Sequence, residues 1–311
     1  MAKEKYKGHL AALLAIVIWG TTFISTKILL VDFQPVEILF YRFLIGYVVL
    51  LILDPHRAKR ESWRKEIAFI AAGFTGVCLY YLLENVALTY TTASNVGVII
   101  CVSPFFTAIL AYLFVKPREK LRIHFFIGFL VAMTGILLIH AHGAQLQLNP
   151  TGDLLAFAAA FVWACYSILA KRIGEFGIPV ILATRKIFFY GLLFIVLVLL
   201  GLGVPMSWRV PTMRNALNLL YLGIGASALC FVTWNYAVKR LGAMKTSVYI
   251  YIVPVITVIT SMLILKESAT IFSVLGTLFT ITGLFLSEYG YTKRPKEKMN
   301  ESRRIKNGFT K

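Results

Sequence analysis

The sequence predicts an all-α integral membrane protein: ten transmembrane helices arranged as two inverted five-helix repeats. Composition, a set of internal matches and the placement of basic residues carry this expectation. Of 311 residues, 59% are hydrophobic and 15% charged, and the mean hydropathy is +0.77. A soluble chain of this length needs a charged surface that these residues do not supply. Its apolar runs reach the roughly 20 residues that cross a bilayer at about 1.5 Å per residue.

The runs predict helices near 9–30, 35–53, 67–90, 93–115, 121–140, 152–173, 178–200, 215–238, 243–265 and 268–288. Lys3, Lys5 and Lys7 ahead of an apolar run imitate a signal peptide. That run is longer than a signal h-region, however, and no small-x-small cleavage site follows it. Most links are short, so consecutive helices should pack antiparallel. Two are longer: 54–66, and 141–151 between the halves. The expected organisation is a first repeat at 8–140, an outer linker at 141–151, a second repeat at 152–289 and a basic cytoplasmic tail at 290–311.

The halves match in register. Trp19, Lys27 and Pro35 correspond to Trp163, Lys171 and Pro179 at a shift of 144. Asn85 and Pro104 correspond to Asn235 and Pro254 at 150, and Glu119, Gly128 and Gly135 to Glu267, Gly276 and Gly283 at 148. Diverged copies with loop insertions and deletions produce such drifting offsets. A repeat with five spans must sit upside down relative to its partner, and the charges agree with this. With the N-terminus cytoplasmic, the inner segments hold 25 of the 32 Lys and Arg residues. The outer ones hold Arg209, Arg214 and Lys266, and Lys27, Arg42, Arg185 and Lys186 lie within helices. This is the positive-inside pattern, with both termini cytoplasmic. It also explains the net charge of +18 by anionic lipid headgroups rather than by a nucleic-acid partner.

Cys78, Cys101, Cys165 and Cys230 lie in apolar runs without CxxC spacing, as small hydrophobes do. No metal site or cofactor is expected. His140 and His142, one residue apart in the outer linker, are only a weak metal hint.

Trp19-Gly20-Thr21-Thr22-Phe23, Lys27, and Pro35-x-Glu37 opening a helix with Tyr41-Arg42-Phe43 resemble the EamA repeat of the drug/metabolite transporter superfamily. So do Ala93-Ser94-Asn95, Pro104 and Glu119. Gly152-Asp153, Trp163, Lys171, Pro254 and Glu267 repeat the pattern over about residues 8–289. The resemblance implies a ten-helix transporter of metabolites, often amino acids, or of xenobiotics in a prokaryotic cytoplasmic membrane. It also implies a central cavity surrounded by helices 3, 4, 8 and 9 with 1 and 6.

Ionisable groups within helices are the first site candidates, because charge in a bilayer core is costly. Arg42 in helix 2 and Glu84 in helix 3 lie at similar depth with opposite sign and form a candidate ion pair, either a structural bridge or a substrate or proton site. Arg185 and Lys186 occupy the matching depth in helix 7, with Lys186 opposite Trp234. They are expected to snorkel to inner headgroups or to attract an anionic substrate. Tyr81, Glu84 and Asn85 share one helix face, and Phe231, Trp234 and Asn235 are their counterparts. These six read either as a cavity wall or as lipid-facing aromatics with cross-linking amides. Trp19, Trp163, Tyr166, Tyr249 and Tyr251 are further cavity candidates. Pro104 and Pro254 should kink their helices. The glycine pairs should pack helices closely, and Glu119 and Glu267 complement helix dipoles.

No HExxH, no paired intramembrane Asp and no P-loop occurs, so catalytic and ATP-driven readings lack support. The expected function is secondary transport of a small-molecule substrate by alternating access, with export as the first reading. Inverted repeats serve this by exchanging their conformations. A channel-like or structural membrane protein is the alternative. Oligomeric state is open, a monomer being plausible, and neither the substrate nor the coupling ion is legible.

Overall fold

The structure, a computed structural model, describes residues 2–56, 61–115, 123–140, 149–203, 211–256 and 271–292. The described residues form ten helices: α1 Ala2–Leu29, α2 Pro35–Leu53, α3 Trp63–Tyr90, α4 93–114 and α5 Ile123–His140 in the first half. The second half holds α6 Pro150–Gly174, α7 Val180–Leu202, α8 Met213–Leu241, α9 Ala243–Ile256 and α10 Ile271–Thr292. Seven of them, α1 to α4 and α6 to α8, are long and apolar enough to cross a membrane, and the described parts of α5, α9 and α10 carry shorter apolar stretches. Glu119, Glu267 and His142 lie outside the described residues, as do most of the 141–151 link and the tail beyond Thr292. The side chain of His140 does too.

Local chemistry sets the helix starts. Pro35 and Pro150 open α2 and α6, where a missing N–H costs nothing. Glu37 reaches back to accept from the Gln34 N–H at 2.8 Å, and the Asn149 side chain accepts from Gly152 N at 3.1 Å. The first helix begins at Ala2 instead of near residue 9. Glu4 holds the added turns by pairing with Lys7 at 3.3 Å and with Arg240 of α8 at 2.9 Å. Lys27 closes the far end of α3, donating to the carbonyls of Leu88 at 2.6 Å and Thr91 at 3.1 Å. A cation there complements the negative end of the helix dipole.

The sequence did not announce the irregular turns, and they recur at matched positions. A π-helical stretch interrupts α3 at Phe74–Leu79, and another interrupts α8 at Tyr221–Leu229. Leu79 and Leu229 differ by the same 150 positions as Asn85 and Asn235. In α4 the α-helix breaks at Cys101 and Val102, so Pro104 sits in the first turn of the segment Ser103–Phe114. In α9 a 3-10 stretch at Val248–Ile252 precedes Pro254. Each proline therefore stands just after a break in the helix rather than inside a regular one, because its ring excludes an unbroken α-helical turn behind it.

Glycine contacts show how the halves are related. A Cβ at Gly128 of α5 would stand 2.6 Å from the Gly283 carbonyl of α10, and one at Gly135 would stand 2.5 Å from that of Gly276. Exchanging matched residues turns the first contact into the second. The operation is a pseudo-two-fold, and the two helices run antiparallel, so its axis lies across the helices and one repeat is inverted relative to the other. Gly8 against Arg240 and Leu241 is likewise mirrored by Gly152 against Tyr90 and Thr91. Gly73 packs on Ile187 and Gly191 of α7, while its match Gly223 packs on Arg42 and Ile45 of α2. Close backbone approach through glycine is the expected glue where lipid removes the hydrophobic drive for helix pairing.

Two cations at the start of α7 hold the α2–α3 connection. Arg185 donates through Nη1 to the Asp54 carbonyl and through Nη2 to that of His56. His56 Nδ1 lies 2.7 Å from Asp54 Oδ1, and this hydrogen bond chiefly keeps the Asp54 carboxyl below its ordinary range. A depressed carboxylate stabilises the folded protein above that ordinary range and ceases to do so as pH falls through its lowered value. Lys186 Nζ pairs with Glu66 Oε2 of α3 at 2.7 Å, both side chains buried, and the Tyr190 hydroxyl donates to the other oxygen of Glu66. The expectation that Lys186 snorkels to headgroups or awaits an anionic substrate is thereby corrected. Its carboxylate is on α3, against which α7 packs, whereas the symmetry match had pointed to α8.

Candidate substrate cavity

A small cavity lies where the two halves meet, lined by residues of both. Helix α1 contributes Ile16, Trp19, Thr22 and Phe23 to its wall, one helical face at three- and four-residue spacing. Tyr80, Tyr81 and Glu84 come from α3 just beyond its π-helical stretch, where the extra residue in the turn re-aims the following face. Ile100 of α4, Trp163 of α6, and Ile250 and Val253 of α9 complete it. The breaks in α4 and α9 therefore border the cavity.

Trp19 and Trp163 occupy matched positions in the two repeats, and their rings meet edge to face at 5.2 Å between centroids. Trp234 packs on both, at 5.1 and 5.8 Å, and Tyr80 lies 4.8 Å from Trp163. Edge and tilted contacts at these distances are the favoured aromatic geometries. Trp19 Nε1 donates to the Ala226 carbonyl at 2.9 Å, fixing its ring against the π-helical part of α8. Thr22 Oγ1 donates to the Trp19 carbonyl at 2.8 Å, so its hydroxyl is satisfied within its own helix.

Glu84 is buried at 2% exposure and lines the cavity. Arg42 is also fully buried, but its guanidinium stacks 4.2 Å from the Tyr81 ring centroid and donates Nε to Ser227 Oγ at 3.1 Å. Nη1 and Nη2 have no hydrogen-bond partner among the described residues. Arg42 and Glu84 are thus electrostatic neighbours without a direct ion pair, and the expected bridge is corrected. The anchor at Ser227 and the stack on Tyr81 hold the guanidinium behind the cavity wall.

The other candidates divide. Trp19, Tyr81, Glu84 and Trp163 line the cavity. Phe231, Trp234 and Tyr166 are fully buried in the aromatic cluster behind it, Phe231 lying 6.0 Å from Trp19. The two asparagines cross-link helices. Asn85 Nδ2 donates to the Pro35 carbonyl at 3.0 Å, whereas Asn235 accepts from the Tyr166 hydroxyl at 2.7 Å and donates to Thr184 Oγ1 at 3.1 Å. Tyr249 lies 2.6 Å from His9 Nδ1, and Tyr251 is fully buried in the core; neither lines the cavity. Ile16, Thr22, Phe23 and Tyr80 were missed, although three- and four-residue spacing from Trp19 and Glu84 would have found them. Ile100, Ile250 and Val253 carry no comparable signal, since apolar residues fill those helices throughout.

The Tyr166–Asn235–Thr184 chain gives a first prediction. Tyr166→Phe removes one buried hydrogen bond and leaves the amide oxygen unsatisfied, lowering stability by about 1–3 kcal/mol. The thermal midpoint of the purified protein should fall, and an unchanged midpoint would contradict the contact.

A ten-helix apolar bundle with duplicated halves and a cavity between them is the architecture of an inverted-repeat membrane transporter. This chain belongs to the EamA-like transporter family, whose pattern matches residues 6–141 and 150–289. It is 28% identical over 289 residues to an uncharacterized transporter of Archaeoglobus fulgidus, covering 90% of this chain and 97% of that one. It is also 28% identical over 294 residues to the uncharacterized transporter YyaM of Bacillus subtilis, covering 92% and 94%. One solved crystal structure shares the fold with a TM-score of 0.73 at 21% identity, over 90% of this chain and 97% of that one. The family resemblance read from the sequence is confirmed, and the protein is a multi-pass membrane transporter rather than an enzyme.

Proposed function

We propose that the protein is a secondary exporter of small metabolites such as amino acids, or of xenobiotics, working by alternating access through the cavity between the halves. The observation that carries this reading is the cavity's place on the pseudo-two-fold, with Trp19 of one repeat against Trp163 of the other. Exchanging the conformations of two inverted halves around such a site moves its opening from one side of the membrane to the other. Paired helix breaks in α3 and α8, and in α4 and α9, supply places to bend. The protein resides in a prokaryotic cytoplasmic membrane with both termini cytoplasmic. Its basic loops and its bacterial and archaeal relatives support this.

Counterflow in proteoliposomes tests the reading. Vesicles preloaded with unlabelled amino acids, nucleosides or cationic drugs are presented with the labelled compound outside. A carrier gives saturable uptake with a transient overshoot for at least one of them. Linear flux without overshoot would favour a channel, and no flux for any compound a structural role.

A further inference from the structure

We propose that the cavity is an aromatic cage for an organic cation, an amine or quaternary ammonium group held by Glu84. This rests on the transporter reading and names its substrate class. Glu84 is the only charged side chain among the described residues that line the cavity. Trp19, Tyr80, Tyr81 and Trp163 stand around the same space and present π-systems whose faces are negative. A carboxylate among aromatic rings attracts a cation by charge, and by quadrupole where the cation meets a ring face. The Thr22 hydroxyl is spent on its own helix, so it does not compete for the ligand.

Charge balance points the same way. A carboxylate buried in a membrane core is stabilised by a countercharge beyond what a hydrogen bond such as that of Tyr80 to Glu84 supplies. The one nearby, Arg42, is held by Ser227 and stacked against Tyr81 rather than bonded to Glu84. An anionic ligand would have to share the space with the carboxylate while the guanidinium stays outside the lining. A cationic ligand supplies the countercharge directly, and the Tyr81 ring already holds one cation, the Arg42 guanidinium, in this manner.

Intrinsic tryptophan fluorescence of the purified protein tests the class, because Trp19 and Trp163 line the site. The probes are phenyltrimethylammonium, the neutral 2-phenylethanol and the anionic phenylacetate. The cation is expected to quench saturably with at least tenfold tighter affinity than the other two. Glu84→Gln should weaken the cation about tenfold and leave the alcohol unchanged, while Glu84→Asp, which keeps the charge, retains the preference. Equal affinities, or a Glu84→Gln protein that binds the cation as tightly, would overturn the proposal. A preference for phenylacetate would overturn it by assigning recognition to Arg42. Silence from all three probes would also end the cage proposal, while counterflow would still decide the carrier reading independently.

Discussion

Gly283→Val is expected to destabilise the protein more than any cavity substitution, by about 3 kcal/mol. The added Cβ would stand 2.6 Å from the Gly128 carbonyl and 2.7 Å from Ala132 Cα, both backbone atoms of α5 that cannot rotate away. The two helices must separate, and the matched contact of Gly135 with Gly276 loosens with them. A loss of this size corresponds to a fall of roughly 6–12 °C in the thermal midpoint. Valine at Gly201, around which a Cβ would meet nothing within 4 Å, should leave the midpoint nearly unchanged. Equal midpoints for the two variants would show that α5 and α10 do not meet through their glycines.

Lys186→Met should have an effect of similar size for a different reason. It removes the cation from a pair whose side chains are only 9% and 7% exposed and leaves the buried Glu66 carboxylate with two uncharged donors, the Tyr190 hydroxyl and the Glu61 N–H at 3.2 Å. Breaking one side of a buried pair costs about 3–5 kcal/mol, whereas replacing both partners with apolar groups is often close to neutral. The double variant Lys186→Met with Glu66→Leu should therefore regain most of the lost thermal midpoint. If the single variant is as stable as the parent, the pair contributes nothing. If the double variant is no better than the single one, the loss has another origin.

The same pair shows where sequence reasoning stopped. Matching the halves at a shift of 144 set Lys186 against Arg42, whereas the glycine contacts of α2 and α7 follow a shift of 145. The matching then sought a carboxylate on α8 because Glu84 lies on α3. Helix α7 packs on α3 as α2 packs on the π-helical part of α8, so the partner was Glu66, in the first turn of α3. Helix neighbours are set by three-dimensional packing, which a one-dimensional offset does not contain. Arg42 and Glu84 come within electrostatic reach of each other, as their opposite signs suggested. The intervening Tyr81, one helical turn before Glu84, could not be recognised as a ring that a guanidinium would choose to stack on.

The ten helices were legible because apolar runs long enough to span a bilayer have few alternatives. The glycine contacts were legible as well, since small residues at seven-residue spacing on matched helices have little other use. The π-helical stretches were not. A single extra residue per turn leaves the hydrophobic pattern of a fully apolar segment unchanged, and neither Phe74–Leu79 nor Tyr221–Leu229 contains a proline to mark it. The asparagines misled for a related reason. Their recurrence in both repeats reported a shared structural duty, helix cross-linking, as readily as a shared binding duty. Trp19 and Trp163 recur too, but they lie on the axis, where matched residues meet each other and both face the cavity.

The account rests on this cavity being the path. Thr22 is a small residue in its wall, so Thr22→Trp places an indole in the space without touching the Gly128–Gly283 or Lys186–Glu66 contacts. Counterflow overshoot, measured beside the thermal midpoint for the parent and this variant, gives the most direct test. The expected result is an overshoot in the parent and none in Thr22→Trp at a comparable midpoint. A Thr22→Trp protein that transports like the parent would place the substrate path elsewhere and contradict the account.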